Sequence, residues 1–280
     1  ILTLMELKLN KQLMRIKALG NTIMRRYKWK YDTHLYRSDM VAKELGAIEK
    51  KHIVILAPHS DDEWVGCSQL LITPNNEVEI INMDMPGGDD LSLHKKRYLE
   101  MKNVACKYNN RLVDILGDKK IFLKNYLKEN NVDIVFVPSF FDWHSEHVSV
   151  MEIFNAAANE AGYDNFVAMY QVSIPIPSSF ITHCSVMTKS ELIEKWNKLY
   201  QYYPTQKKLP IKRFLANERI NGAITHNYAI EAYGLMRFEK WSLELKKYIM
   251  NDREREIFYL SIQDIAKIRK MLKDLVAERR

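Results

Sequence analysis

Two short stretches carry side chains whose types and spacing suit chemistry. The first is PHSDDE (58–63), in which His59, Asp61, Asp62 and Glu63 follow directly on the apolar run HIVILA. The second is HSEH (144–147), with His144, Glu146 and His147 just beyond the run VDIVFVP. An imidazole and a carboxylate from one stretch, joined by an imidazole from the other, make the His/His/carboxylate set of a catalytic zinc site, which leaves a coordination position for water. Each stretch alone also has an ordinary reading. Ser60 with Glu63 three residues later fits a capping box at a helix start, where acids are favoured by the helix dipole. A single histidine is more often a satisfied polar residue than a ligand. The weight lies in two independent clusters meeting in one crevice, and that depends on the elements that carry them.

The runs HIVILAP (52–58), EVEIINMD (77–84), RLVDIL (111–116) and VDIVFVPS (132–139) are short and rich in Val and Ile, which predicts strands. SLHKKRYLEMKNVACKY and DKKIFLKNYLKENN, between them, have helical spacing. This alternation predicts an α/β fold with a Rossmann-like, doubly wound, mostly parallel sheet of order 3-2-1-4 and later strands added. In that order strands 1 and 4 are neighbours, and the crevice outside their carboxyl ends is where ligands bind. Both polar stretches fall there. Beyond residue 165 the pattern predicts strands over FVAMYQVSI and THCSVMT, and helices over 189–203, near 211–232 and from 253 onward. Without a linker rich in Gly, Ser or Pro, the simplest division is a catalytic domain over 51–245, a basic helical extension over 1–50 and a helical extension over 246–280.

At 280 residues, 47% hydrophobic and 28% charged, the chain is long enough for one large core. Its apolar runs fall short of the roughly 18 residues of a membrane span, and no signal-peptide series is visible, so a cytoplasmic protein is expected. Cys67, Cys106 and Cys184 are widely spaced, which excludes a disulfide framework and a C-x-x-C zinc module. Of the net charge of +7, the first fifty residues hold +6, from eleven Lys or Arg against five Asp or Glu. Their apolar residues recur at helical steps with a basic opposite face. Such a helix either packs on the body with its cations solvated, or docks to an anionic membrane or a phosphate-bearing substrate. No motif of a nucleic-acid-binding fold accompanies the charge.

At the two clusters the sequence resembles the PIG-L or LmbE-like zinc-dependent deacetylases, which remove acetyl groups from N-acetylglucosamine-type sugars. The family's first motif is a strand followed by [A/P]-H-P-D-D-E, here PHSDDE with Ser60 in place of proline. Its second is H-P-D-H, here HSEH. The likeness extends from about residue 52 to 235, with YYPTQ (202–206) and NYAIEAYGLM (227–236) similar to the later Y-x-S-Q and Y-A-E-x-F stretches. The barrel-type polysaccharide deacetylases and the HD phosphohydrolases need motifs that this chain lacks.

The resemblance implies that His59, Asp62 and His147 bind Zn2+ and that Asp61 is the base for the attacking water. It implies that a protonated His144 supports the oxyanion and protonates the leaving amine. Glu146, in place of the family's Asp, would accept a hydrogen bond from His144. Arg97 stands where the family often has R-x-x-E, and it, Asp84, Asp118 and Trp143 are candidate sugar contacts, with Trp64 a second candidate for stacking. The implied activity is removal of an acetyl group from an N-acetylated amino sugar linked to a nucleotide, a lipid or a small molecule. The alternative is an inactive relative that binds a glycan or a membrane.

Overall fold

An unbroken Val/Ile run has no polar face to turn to water, so it forms a strand that must be covered on both sides. The computed structural model describes residues 2–36, 40–86 and 91–280. In chain order the elements are helix α1 (Leu2–Leu35), strands β1 (Lys43–Glu44) and β2 (His52–Ala57), α2 (Asp62–Ile72), β3 (Glu77–Asn82), α3 (Leu91–Lys107), β4 (Arg111–Asp114) and α4 (Lys119–Glu129). There follow β5 (Ile134–Pro138), α5 (Ser145–Ala161), β6 (Phe166–Tyr170), β7 (His183–Met187), α6 (Lys189–Tyr202), α7 (Ile211–Ile224), β8 (Ala229–Arg237), α8 (Phe238–Tyr248), α9 (Asp252–Ser261) and α10 (Ile265–Glu278).

The described strands form one sheet in the order β1-β7-β8-β6-β5-β2-β3-β4, and among them β8 alone runs against the rest. The segment β4-β3-β2-β5 is the expected 3-2-1-4 order, so the doubly wound, mostly parallel α/β fold is as the sequence predicts. Side chains alternate between two cores. Val54 and Leu56 face α4, α5, α8 and α10, where Leu123, Phe154, Trp241 and Leu272 pack. Ile53, Ile55 and Ala57 face α2, α3, α6 and α7, through Trp64, Met101, Trp196 and Phe214.

The helix expected near 211–232 is a correction. It stops at Ile224, and the chain reverses into β8. His226 adopts a left-handed φ of 59°, and a Cβ on Gly222 would stand 2.6 Å from the Ala229 backbone, so the returning strand presses on the helix that precedes it. Lying between β6 and β7, β8 is buried on both faces and shows no polar alternation to betray it.

Of the basic first fifty residues, Leu2–Leu35 are helical, whereas Lys43–Glu44, expected within the helical extension, join the sheet as β1 beside β7. The end of α1 packs on the body: Trp29 and Tyr36 lie against Ala216, Ile220, Ile224 and Ile265, and Lys28 Nζ is 2.7 Å from Asp264 Oδ2. Further toward its start, Met14, Ile16, Leu19 and Met24 are more than half exposed. Among the described residues no helix is long and apolar enough to cross a membrane.

One packing constraint lies directly behind the first polar stretch. A Cβ on Gly66 would come within 2.2 Å of the Tyr170 ring, which is fully buried and whose hydroxyl donates to Leu56 O at 2.8 Å. Gly66→Ala is therefore expected to destabilise the protein by about 1–3 kcal/mol, the usual range for overpacking. Chemical denaturation measures this, and an unchanged midpoint would mean that the ring has room to move.

Candidate functional site

Because β2 and β5 are neighbours, the loops that leave their carboxyl ends lie side by side. The chain passes from Ala57 through Pro58 and His59 into α2, and from Pro138 through Asp142 and His144 into α5. Asp61 makes the sharp turn between the first strand and helix at φ 148°, a conformation costly for a residue with a Cβ and typical of functional turns. Its carbonyl accepts from Trp64 N and Val65 N, which starts α2. The capping box that Ser60 and Glu63 fit by spacing, the ordinary alternative for this stretch, does not form. Asp61 is the N-cap residue, its side chain makes no cap hydrogen bond, and Glu63 Oε2 accepts from Asp61 N at 3.1 Å. The Asp61 carboxylate is thereby left to the cavity it lines.

His59, Asp62 and His147 converge. Asp62 Oδ2 lies 3.1 Å from His59 Nδ1 and 3.4 Å from His147 Nε2, and those two nitrogens are 3.4 Å apart. Ligands at about 2.0–2.1 Å from a tetrahedral zinc are separated by roughly 3.3–3.4 Å, so the two 3.4 Å edges match the face of such a tetrahedron and the His59–Asp62 edge, at 3.1 Å, is shorter. Each imidazole is also held from behind, as metal-binding histidines are. Asp142 Oδ2 lies 3.1 Å from His147 Nδ1, and Glu146 Oε2 lies 2.6 Å from His59 Nε2. Asp142 is fully buried and accepts further from His144 N at 3.0 Å and Ser173 N at 3.1 Å. The residues present therefore fit a divalent metal.

Two expectations are corrected here. The Glu146 carboxylate pairs with His59 Nε2 in place of the expected hydrogen bond from His144, and His144 serves as the N-cap of α5. His144 Nδ1 accepts from Glu146 N at 3.3 Å, so that nitrogen carries no proton and the ring is neutral, with its hydrogen on Nε2. Burial and the neighbouring His147 hold the His144 pKa below its ordinary value, which agrees with a neutral ring.

The charges of the triangle are strongly coupled. Burial alone would raise Asp62, but His147 and His59 hold its carboxyl far below the usual range. His147 is pushed up to about 10, since Asp62 and Asp142 outweigh its burial. Asp61 is driven well upward by burial and by Asp62 and Glu63, so it takes up a proton far more readily than an ordinary aspartate. Burial lifts Glu63 to about 7 against the opposing hydrogen bond from the Tyr203 hydroxyl.

A cavity of about 600 Å³ opens over these groups, lined by His59, Asp61, Asp62, His144 and His147 together with Arg97, Trp143, Gln206, Arg213 and Tyr259. Of the candidate sugar contacts, Arg97 and Trp143 are thus on its wall. Asp84 and Asp118 are elsewhere: Asp84 Oδ1 is 3.3 Å from His94 Nδ1, and Asp118 caps α4 by accepting from Ile121 N at 2.9 Å. Trp64 is buried and donates to Lys195 O at 3.1 Å, a packing role. YYPTQ contributes in three ways, with Tyr203 on Glu63, Thr205 Oγ1 on Glu100 Oε2 at 2.5 Å, and Gln206 on the cavity wall.

Sequence reasoning missed Asp142, Arg213 and Tyr259. Asp142 had a signal, an acid in the loop that carries both later histidines; the other two had none. A further group of ligand-type side chains, His52, Glu77 and Glu79, lies at the opposite end of the sheet. There Arg111 Nε already neutralises Glu79 at 2.5 Å.

No family model and no curated protein matches the chain. Among solved structures, the conserved protein TT1542 from Thermus thermophilus has a TM-score of 0.52 at 14% identity, over 65% of this chain and 93% of that one. The likeness concerns the fold alone. At lower TM-scores stand a triple mutant of a deacetylase of the teicoplanin biosynthetic pathway (0.47; 12% identity; 66% of this chain and 98% of that one) and the A40926 pseudoaglycone deacetylase Dbv21 (0.45; 14%; 68% and 99%).

The raised pKa of His147 gives a stability test on metal-free protein. A group raised from 6.5 to about 10 on folding contributes stability that is fully present below about pH 6.5 and is lost as pH rises toward 10. Thermal melts in chelator are expected to fall over that window, and His147→Gln is expected to flatten the slope. An equal slope in both proteins would remove His147 as its source.

Proposed function

We propose that the chain is a zinc-dependent hydrolase of the PIG-L or LmbE type that removes the acetyl group from an N-acetylated amino sugar and releases acetate. The observation that carries this reading is the triangle of His59 Nδ1, Asp62 Oδ2 and His147 Nε2, with an unligated carboxylate, Asp61, beside it on the cavity wall. Two imidazoles and one carboxylate are a donor set that suits zinc. When bound, the metal supplies a Lewis acid that polarises the amide carbonyl and makes a neighbouring water acidic.

The chain's own groups divide the rest of the work. Asp61, with its elevated proton affinity, accepts a proton from the attacking water and returns it to the leaving amine. His144 keeps Nδ1 on the cap of α5, so it acts through Nε2–H, as a hydrogen-bond donor to the carbonyl oxygen. Asp142 and Glu146 fix the orientation and proton position of the two histidine ligands. Arg97 and Trp143 contact the sugar. The catalytic unit in this reading is 51–245, flanked by α1 and strand β1 within 1–50 and by the helices of 246–280, and the enzyme works in the cytoplasm. A base kept in a strained, buried turn argues against the inactive, binding-only alternative.

Purified protein is then expected to hold about one zinc per chain. His59→Ala and Asp62→Ala are expected to lose it, while Asp61→Asn keeps it and lowers the rate of amine release by roughly 10²-fold or more. Elemental analysis and an assay on N-acetylglucosamine derivatives measure both. Full metal occupancy in His59→Ala and Asp62→Ala would sink the site, and metal loss in Asp61→Asn with retention in Asp62→Asn would reverse the two carboxylates.

The start of α1 supports a membrane contact in the same reading. Met14, Ile16 and Leu19 are exposed on a part of the helix whose sequence also carries Lys8, Lys11, Arg15 and Lys17. Each such cation near an anionic surface adds about 1 kcal/mol before salt screening. Sedimentation with anionic vesicles is expected to show salt-sensitive binding that is lost on removal of residues 1–20, which leaves Lys28 and Trp29 in place. Equal binding by both proteins, or none, would exclude this role for α1.

A further inference from the structure

Among the charged side chains described on the cavity wall, Arg213 is the one that the proposed chemistry leaves without a task. Three lysine or arginine side chains are buried among the described residues: Lys195, Arg213 and Arg269. Lys195 is held by Glu218, Glu231 and Val65 O, and Arg269 by Asn221 Oδ1 and Asn217 O. Arg213 is 6% exposed and lines the cavity, and no described side chain or carbonyl hydrogen-bonds or ion-pairs with its guanidinium. Its Nε is a buried donor without an acceptor, and the group lies over the Phe214 ring. The acidic side chain acting on it is Asp142, whose oxygens are taken up by His147 Nδ1, His144 N and Ser173 N. A buried charge is ordinarily retained only with a partner.

The start of α7 strengthens the case. Pro210 is its N-cap and offers no side-chain cap, no acid stands in the first turn, and Leu209 and Pro210 line the same cavity. The positive end of the helix dipole and the Arg213 guanidinium therefore act together on one wall. Arginine's planar fork suits a phosphate or a carboxylate.

We propose that Arg213 is an anion-recognition residue, and that the substrate is an acylated amino sugar bearing its own anionic group, a phosphate ester or a carboxylate. The anion and the acetamide occupy one cavity of about 600 Å³, so both belong to one molecule of sugar size. This inference rests on the hydrolase reading above, and it adds the substrate's charge.

The test compares metal-loaded wild type, Arg213→Lys and Arg213→Met on N-acetylglucosamine, its 1- and 6-phosphates and N-acetylmuramic acid, with amine release as the readout. Wild type is expected to favour at least one anionic sugar over the neutral one by tenfold or more in kcat/KM, mainly through KM, and the favoured arm tells phosphate from carboxylate. That ratio is expected to fall toward one in Arg213→Met and to survive in part in Arg213→Lys. Equal kcat/KM on neutral and anionic sugars in wild type, or a ratio unchanged by Arg213→Met, would overturn the proposal. So would a loss in kcat alike on every sugar, which would place Arg213 on the reaction's oxyanion. Should Arg213→Met fail to fold, the wild-type ratio and Arg213→Lys decide. Should no sugar be hydrolysed, the hydrolase reading fails, and calorimetry with inorganic phosphate decides on Arg213: binding weakened in Arg213→Lys upholds the anion site, and unaltered or absent binding overturns it.

Discussion

Burial of the Asp62 carboxylate between two imidazoles is the interaction on which the rest of the site depends. A lone carboxylate in the buried first turn of α2 is intolerable in a medium of low polarity. His59 and His147 make it tolerable, and they face each other across it at metal-ligand spacing. Removing one member of such a cluster leaves its partners charged and uncompensated, a change worth about 3–5 kcal/mol for buried pairs. The groups around the triangle follow from the same need. Asp142 neutralises His147 and accepts from two backbone amides, and Glu146 covers the outer nitrogen of His59.

A cluster under this much electrostatic stress keeps its shape only if its frame is rigid. The first turns of α2, which carry the acids, are gripped from behind by a second buried polar network. Lys195 Nζ donates to Val65 O at 2.7 Å and joins Glu218 to Glu231, while Glu231 accepts from Ser68 Oγ at 2.6 Å and Gln69 N at 3.0 Å. The helix is thus tied to α6, α7 and β8 at once. With Tyr170 filling the space beside Gly66, α2 has no easy direction in which to slide. That rigidity is what holds Asp61 at φ 148°, which the turn could not maintain by local preference.

How much of this was legible in the sequence depended on the range of the forces involved. The four strands from His52 to Pro138 announce themselves through Val and Ile runs, and the helices between them through their period, so the sheet order and the meeting of the two polar stretches could be read directly. β8 could not, because a strand buried on both faces has no alternation and its apolar residues extend the pattern of α7. The destination of Glu146 depended on which side of α5's first turn faces His59, a matter of helix rotation that sequence spacing does not carry. Arg213 is a cation in a stretch with other cations, and only the absence of a described partner around it in three dimensions sets it apart.

The cavity is assembled from parts of the chain that are far apart in sequence. Its floor belongs to the loops after β2 and β5, whereas Tyr259, Leu260, Ile262 and Gln263, from the end of α9 and the link to α10, form part of its rim. Leu260 and Tyr259 stand 74% and 52% exposed there and take no part in the hydrogen bonding of the floor. Reaction and admission are thus written in separate passages of the chain. Descendants of one ancestor could diverge in what they let in by rewriting only the later passage, while the floor stayed under the tight restraint of its buried charges.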